Sequence, residues 1–378
     1  MKIRTITTGF NLEVPLSEKQ IKEIAGFTNR VKDEFIQNGF DVQTLRLATQ
    51  PWEEYFSSPA QMRKLVPNIE KLSLSSGIDY FNIGTTYNPK NIPLIYDLIK
   101  STSTAFCTVM VSDEKKVDYE AAQKTAELIR RLAFIDKDGF ANLRFAALFN
   151  TKHGSPFFPA AYHKGPVSFG IGTENSDLVN RAFSEAGDIK NAGRIIQKVL
   201  EEEFAKVEEI AEKISRKENI QYNGIDVSIA SSIEKNESTA YAFEKLGLGR
   251  FGEVGTLAAA KCVTDCLGKL NVKRCGYSGL MLPVLEDFGL AERNMEKAFN
   301  ITHILLYSSV CGTGLDTIPL PGDVSVMKLY ALLLDVASLA VKLNKPLSAR
   351  LMPIPKKKAG DMTSFSFDYF ANTKIMEI

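Results

Sequence analysis

Short apolar runs alternate along this chain with longer stretches in which apolar residues return at helical spacing. The first run, Ile3 to Thr7, leads into Ser17 and Gln20, which fit a capping box, and then into Ile21, Ile24, Ala25, Thr28, Val31 and Phe35. This pattern predicts a strand followed by an amphipathic helix that Gly39 stops. Further strand-like runs lie near 42–48, 79–83, 105–111 and 143–149. Later ones lie near 168–173, 224–230, 277–281, 303–308 and 347–352, a tally of about ten. The clearest helix is expected from about Lys190 to Arg216, with Ala192, Ile196, Val199, Phe204, Val207 and Ile214 on one face and Glu and Lys on the other. Strands alternating with helices predict parallel strands in an α/β fold. Neither a flexible linker nor a fixed-period repeat divides the chain, so residues 1–378 are read as one domain.

Composition narrows the function classes. The 46 Lys and Arg balance 45 acidic residues, so no long-range field favours nucleic acid or an anionic membrane. The N-terminal MKIRTITTGF lacks the apolar core of a signal peptide, and the most apolar stretch, Met327 to Val341, is broken by Lys328 and Asp335. Five cysteines are too few and too odd in number for a disulfide framework. These features predict a cytoplasmic protein, with a homodimer as the default assembly.

Candidate chemistry collects in three polar, glycine-rich clusters, because α/β barrels carry their sites in strand-end loops. The first, residues 154–175, has prolines at 156, 159 and 166 and ends in Glu174 and Asn175. A stiff loop beside a strand-end carboxylate makes a substrate wall, and His153 and His163 flank or sit in it. The second, residues 224–238, places Asp226 and Ser228 on one face of a strand as a polar row for the barrel interior. The glycines at 247, 249, 252 and 255 that follow precede a helix starting near Thr256, where backbone amides could hold an anion, although GLGRFG is only a weak dinucleotide fingerprint.

The third cluster, residues 308–323, reads as a strand ending at Cys311 and then a tight loop before a helix near Ser325. Asp323 is expected to cap that helix; Asp316 has no such duty and is the candidate general base or metal ligand, with Cys311 as a candidate nucleophile. A divalent metal ion, if present, would be held by Asp316 and Asp323 with Glu174. Arg350 and Arg46 each lie inside a predicted strand, where a buried cation needs an anion, either a substrate or a carboxylate such as Asp316.

The strings IRTIT, VQTLRLAT, GSPFFPAAYHKG, GTLAAA, GYSGLMLPVLEDFGLAER, CGTGLDTIPLPGD and LMPIPKKKAGDMTSFSFDYFAN together resemble a functionally uncharacterised family with a pyruvate formate-lyase-like fold. The resemblance spans nearly the whole chain. It implies a ten-stranded α/β barrel made of two five-stranded parallel halves. Enzymes of that fold use a radical on a glycine near the C-terminus, whereas the last residues here, FDYFANTKIMEI, contain no glycine, so no glycyl radical is expected. The internal RCGYSG, Arg274 to Gly279, is only a faint match to such a motif. Two expectations remain. The first is an enzyme acting on a small anionic metabolite, carboxylate or phosphate, in the barrel mouth. Arg350, Arg46, Asn175, Ser228, Asp226 and His163 would bind the substrate, with Asp316, Cys311 and Glu174 as catalytic residues. The second is a non-catalytic binding or regulatory protein that keeps the barrel.

Overall fold

The computed structural model describes residues 1–310 and 313–378. Its strands are β1 (Lys2–Phe10), β2 (Val42–Thr49), β3 (Tyr80–Thr86), β4 (Ala105–Ser112), β5 (Phe145–Phe149), β6 (Ser168–Glu174), β7 (Gln221–Asp226), β8 (Gly314–Pro321) and β9 (Leu347–Ile354). They form one nine-stranded sheet in the order β7-β6-β1-β2-β3-β4-β5-β9-β8. Strands β1 to β5 pair in parallel. Strand β6 joins β1 and strand β9 joins β5 antiparallel, while β6–β7 and β8–β9 are again parallel. The result is a central block of five parallel strands flanked by two parallel pairs that run the opposite way, within an α/β fold.

The helices form where the apolar spacing predicts them. Ser17 Oγ accepts from Gln20 N at the start of Glu18–Gln37, whose buried side includes Ile21, Ala25, Thr28, Val31 and Phe35. Asp188 caps the 30-residue helix Ile189–Glu218, which buries Ala192, Ile196, Val199, Phe204 and Val207. On β1, Thr8 Oγ1 meets Thr28 Oγ1 of the first helix at 2.7 Å, whereas Thr7 Oγ1 donates to Pro156 O at 2.6 Å. Neighbouring residues of a strand face opposite sides. The helix therefore covers one face of the sheet, and the loop around Pro156 covers the other.

That loop is buried from Ser155 to His163. Its prolines and phenylalanines make it apolar enough to sit inside. Its carbonyls still need partners, which Thr7 provides at Pro156 and Asn82 Nδ2 at Pro159, 2.6 Å away. His163 N donates to Thr49 O at 2.9 Å and closes the excursion.

The expected α/β fold is present as a sheet of nine strands with β7 and β8 at its ends, coarser than a ten-stranded barrel. Three expectations are corrected. The run 303–308 is part of a helix, Ile301–Val310: Asn300 Oδ1 accepts from His303 N at 3.1 Å, and Ile301, Ile304 and Ser308 are buried at helical spacing. A short continuous apolar run does not distinguish strand from helix, and here the cap decides. The glycines, prolines and aspartates after Cys311 predict a tight loop, yet residues 314–321 form β8, which tolerates Pro319 and Pro321 because it is an edge strand. Asp323 is exposed and does not cap the next helix, Val326–Leu343; Ser325 Oγ does, accepting from Lys328 N.

The run 277–281 is not a laddered strand. Isolated parallel bridges join Arg274 to Ile225 and Leu280 to Ile229 at the β7 side, and Pro283 to Asp316 at the β8 side. Backbone hydrogen bonds accompany them: Cys275 N to Ile225 O at 3.0 Å, Met281 N to Ile229 O at 3.0 Å and Val284 N to Asp316 O at 3.2 Å.

Candidate functional site

A cavity of about 200 Å³ opens on the loop face of the sheet. Strand register explains how its charged wall assembles. Arg46 on β2 is aligned with Thr7 on one side and Tyr80 on the other, so it points toward the loop as Thr7 does. Strict alternation would turn Arg4 away from that face, but the β1–β6 register shifts between Ile3 and Thr5, and Arg4 lines the cavity. Irregularities of this kind re-aim side chains. On β9, Ser348 and Arg350 face the cavity two residues apart, and the Leu315–Ala349 pairing brings Asp316 beside Arg350.

Most of these charges are mutually satisfied. Arg350 Nε lies 2.6 Å from Asp316 Oδ1, and its Nη2 lies 2.6 Å from Glu286 Oε1. Glu286 Oε2 continues to Arg4 Nη2 at 2.7 Å, and Arg4 Nη1 reaches Glu174 Oε2 at 2.5 Å. Lys2 joins Glu174 at 3.3 Å to Glu237 at 3.0 Å. The result is a chain of alternating charges along one wall. Burial works against the charge on Arg350, but Asp316 and Glu286 outweigh it and raise its pKa. Burial lifts the Asp316 carboxyl above the usual aspartate range, with Arg350 opposing and Glu286 reinforcing the rise.

Arg46 differs. Its Nε donates to Thr44 Oγ1 at 3.0 Å, and its guanidinium lies 5.2 Å from the centre of the Phe158 ring and 5.7 Å from that of Tyr80. It forms no ion pair with any carboxylate among the described residues. Burial, followed by the Arg4 charge, pushes Arg46 down to about 9, so it is still a cation at neutral pH. Arg144, also on the wall, spends its guanidinium on Ile99 O at 2.7 Å, Thr102 Oγ1 at 3.1 Å and Ala105 O at 3.4 Å. The rest of the wall is largely aromatic, including Tyr80, Phe106, Phe140, Phe157, Phe158 and Tyr277. The Tyr277 hydroxyl is buried beside the Ser348 and Thr151 hydroxyls; burial raises its pKa, and those two side chains oppose the rise.

The sequence candidates separate accordingly. Arg46, Asp316 and Arg350 meet at the cavity, and Glu174 touches it through Arg4. Asp226 and Ser228 do not line it. Asp226 accepts from Ser228 Oγ at 2.5 Å, Tyr277 N at 2.8 Å and Ser278 N at 2.9 Å, and Ser228 Oγ accepts from Gly279 N at 3.0 Å. This polar row fixes the turn that carries Tyr277. The turn fits closely, since a Cβ on Gly276 would lie 2.0 Å from Asp226 Oδ2.

Asn175 is a brace of the same sort, donating to Thr173 Oγ1 and Ser228 O at 3.1 Å and accepting from Ala230 N at 3.1 Å. His163 is buried against Gly9 with Nε2 2.9 Å from Gly165 O, outside the cavity wall, and burial lowers its pKa. Asp323 is exposed beyond the end of β8. No group of three His, Cys, Asp or Glu among the described residues is placed to hold a metal, so Asp316, Asp323 and Glu174 do not converge. Cys311 lies outside the described residues. The glycine loop at 247–255 precedes the helix Thr256–Leu267 as expected but does not line the cavity.

Sequence reasoning missed Arg4 and Glu286. Arg4 meets the criterion that singled out Arg46 and Arg350, an arginine inside a strand. Glu286 lies in a segment without local regularity that would mark it.

A family profile described as "Uncharacterised ACR (DUF711)" matches residues 1–366. The chain belongs to this family. Among its relatives, a UPF0210 protein of Ruminiclostridium cellulolyticum is 27% identical, the match covering 97% of this chain and 88% of that one. A UPF0210 protein of Methanopyrus kandleri is 25% identical over 96% of this chain and 88% of its own length. A solved structure of an anaerobic ribonucleotide reductase superposes with a TM-score of 0.50 at 9% identity, covering 92% of this chain and 70% of that one. At that identity the likeness speaks for the fold alone. No helix among the described residues is long and apolar enough to cross a membrane.

Proposed function

We propose that this chain is an enzyme that takes a small carboxylate or phosphate metabolite into the cavity, with Arg46 holding the anion and Asp316 handling a proton. The observation that carries this reading is Arg46, a cation on the cavity wall that forms no ion pair with any carboxylate among the described residues. A desolvated guanidinium is costly without an anion, and its planar fork suits carboxylate and phosphate oxygens. Asp316 suits proton transfer because burial raises its pKa toward neutrality while Arg350 fixes its position.

In this reading the segment 274–283 takes the place of a tenth strand between β7 and β8. The bridges on both its sides support that role, and the cavity then lies inside a ring of two opposed five-stranded halves. Cys311 stands two positions before the cavity-lining Thr313, and Cys311→Ser tests its candidacy as a nucleophile.

A thermal-shift series on the full chain with carboxylates and phosphate esters tests the reading. Binding to the folded state raises the melting temperature. At least one anion is expected to stabilise the wild type and not Arg46→Met; no shift with any anion, or a shift that survives in Arg46→Met, overturns the reading. Asp316→Asn is expected to keep that shift and lose turnover of the same compound. The second reading, a non-catalytic binder, is favoured by the engagement of both Asp316 and Glu174 with arginines, and it predicts that no turnover accompanies binding.

A further inference from the structure

We infer that the cavity is built for an aromatic monocarboxylate rather than for a compact polyanion; this rests on the reading that Arg46 holds an anion. Charge is the first argument. Around the cavity the guanidiniums of Arg4, Arg46, Arg144 and Arg350 stand against the carboxylates of Glu174, Glu286 and Asp316. Lys2 and Glu237, further along the chain of charges, cancel each other. The four cations exceed the three anions by one, so a single negative charge neutralises the site.

Available donors give the same answer. Arg4 and Arg350 are held between carboxylates, and Arg144 is spent on two backbone carbonyls and a hydroxyl. Arg46 alone among these four has only one hydrogen bond, from Nε, leaving its outer edge for a ligand. One guanidinium edge matches one carboxylate. A phosphate dianion or a dicarboxylate would bring a second charge that no remaining cation receives, close to Glu286 and Asp316.

The third argument is the wall itself. Phe106, Phe158 and Tyr80 form a connected aromatic group, with ring centres 5.1 Å apart for Phe106 and Phe158 and 5.5 Å for Tyr80 and Phe106. Arg46 lies against two of these rings, so a carboxylate seated on it carries its body onto aromatic surface. An apolar cavity of about 150 Å³ admits benzene, and this one is about 200 Å³.

Isothermal titration of the full chain with benzoate, benzamide, succinate and inorganic phosphate tests the inference. Benzoate is expected to bind at least tenfold more tightly than benzamide, succinate or phosphate. Arg46→Met, or Arg46→Gln if the first variant does not fold, is expected to reduce benzoate binding to the benzamide level. If succinate or phosphate binds through Arg46 as tightly as benzoate, the aromatic class is wrong while the anion-holding role of Arg46 stands. If no anion binds, or if benzoate binding is indifferent to Arg46, both fall.

Discussion

Arg46 and Arg350 pose the same question in the sequence and receive opposite answers in the fold. Arg350, 9% exposed, is clamped by Asp316 and Glu286; Arg46 has aromatic rings and one threonine hydroxyl. The two positions should therefore respond oppositely to loss of charge. Removing one member of a buried ion pair leaves its partners uncompensated and typically costs about 3–5 kcal/mol. Arg350→Met is expected to lose stability of that order, because Glu286 and Asp316 would remain beside each other. Arg46→Met removes a cation that lacks an anion and fills the same space with an apolar chain, so it is expected to leave unliganded stability unchanged or to raise it by about 1 kcal/mol. Urea unfolding of the two variants beside the wild type measures both. A loss at Arg46 as large as that at Arg350 would mean that Arg46 is a structural cation and not a ligand group.

Among the elements, the turn at 275–279 carries much of the burden, since it delivers Tyr277 to the cavity and is held by Asp226 and Ser228. Gly276 has φ +63° there, and any side chain would run into Asp226. Gly276→Ala is expected to loosen the segment 274–283 without unfolding the sheet. Hydrogen exchange reads this out: the Cys275 and Met281 amides, which bond to Ile225 O and Ile229 O, should be protected in the wild type and exchange at least tenfold faster in the variant. Unchanged protection would show that the turn does not anchor the segment.

The same elements show what the sequence can and cannot disclose. The helix Glu18–Gln37 is legible because a cap and an apolar stripe agree, and Ile189–Glu218 because its apolar stripe is long. The helix Ile301–Val310 and strand β8 are not, because a short apolar run is ambiguous and edge-strand proline mimics a loop. Asp226, Ser228 and Asn175 are candidate ligand groups in the sequence and brace backbone and neighbouring side chains in the fold, because sequence cannot tell a side chain that meets a ligand from one that meets its own backbone.

For the whole molecule, the arrangement follows from one sheet with a loop-covered face. The buried loop from Ser155 to His163 supplies Phe157, Phe158 and Pro159 to the cavity, and strands of opposite sense supply its charges: Arg4 and Arg46 from the central block, Asp316 and Arg350 from the β8–β9 pair. Residues hundreds of positions apart become neighbours only through this sheet order, which explains why the Arg4–Glu286–Arg350 chain escaped the sequence reading. The proposed function requires an anion seated at Arg46. Soaking crystals of the full chain with 4-bromobenzoate and locating bromine by anomalous scattering tests this most directly. One bromine peak is expected inside the cavity, with the carboxylate on the Arg46 guanidinium and the ring against Phe158. A cavity without bromine, or a carboxylate bound elsewhere while Arg46 stays unoccupied, would contradict it.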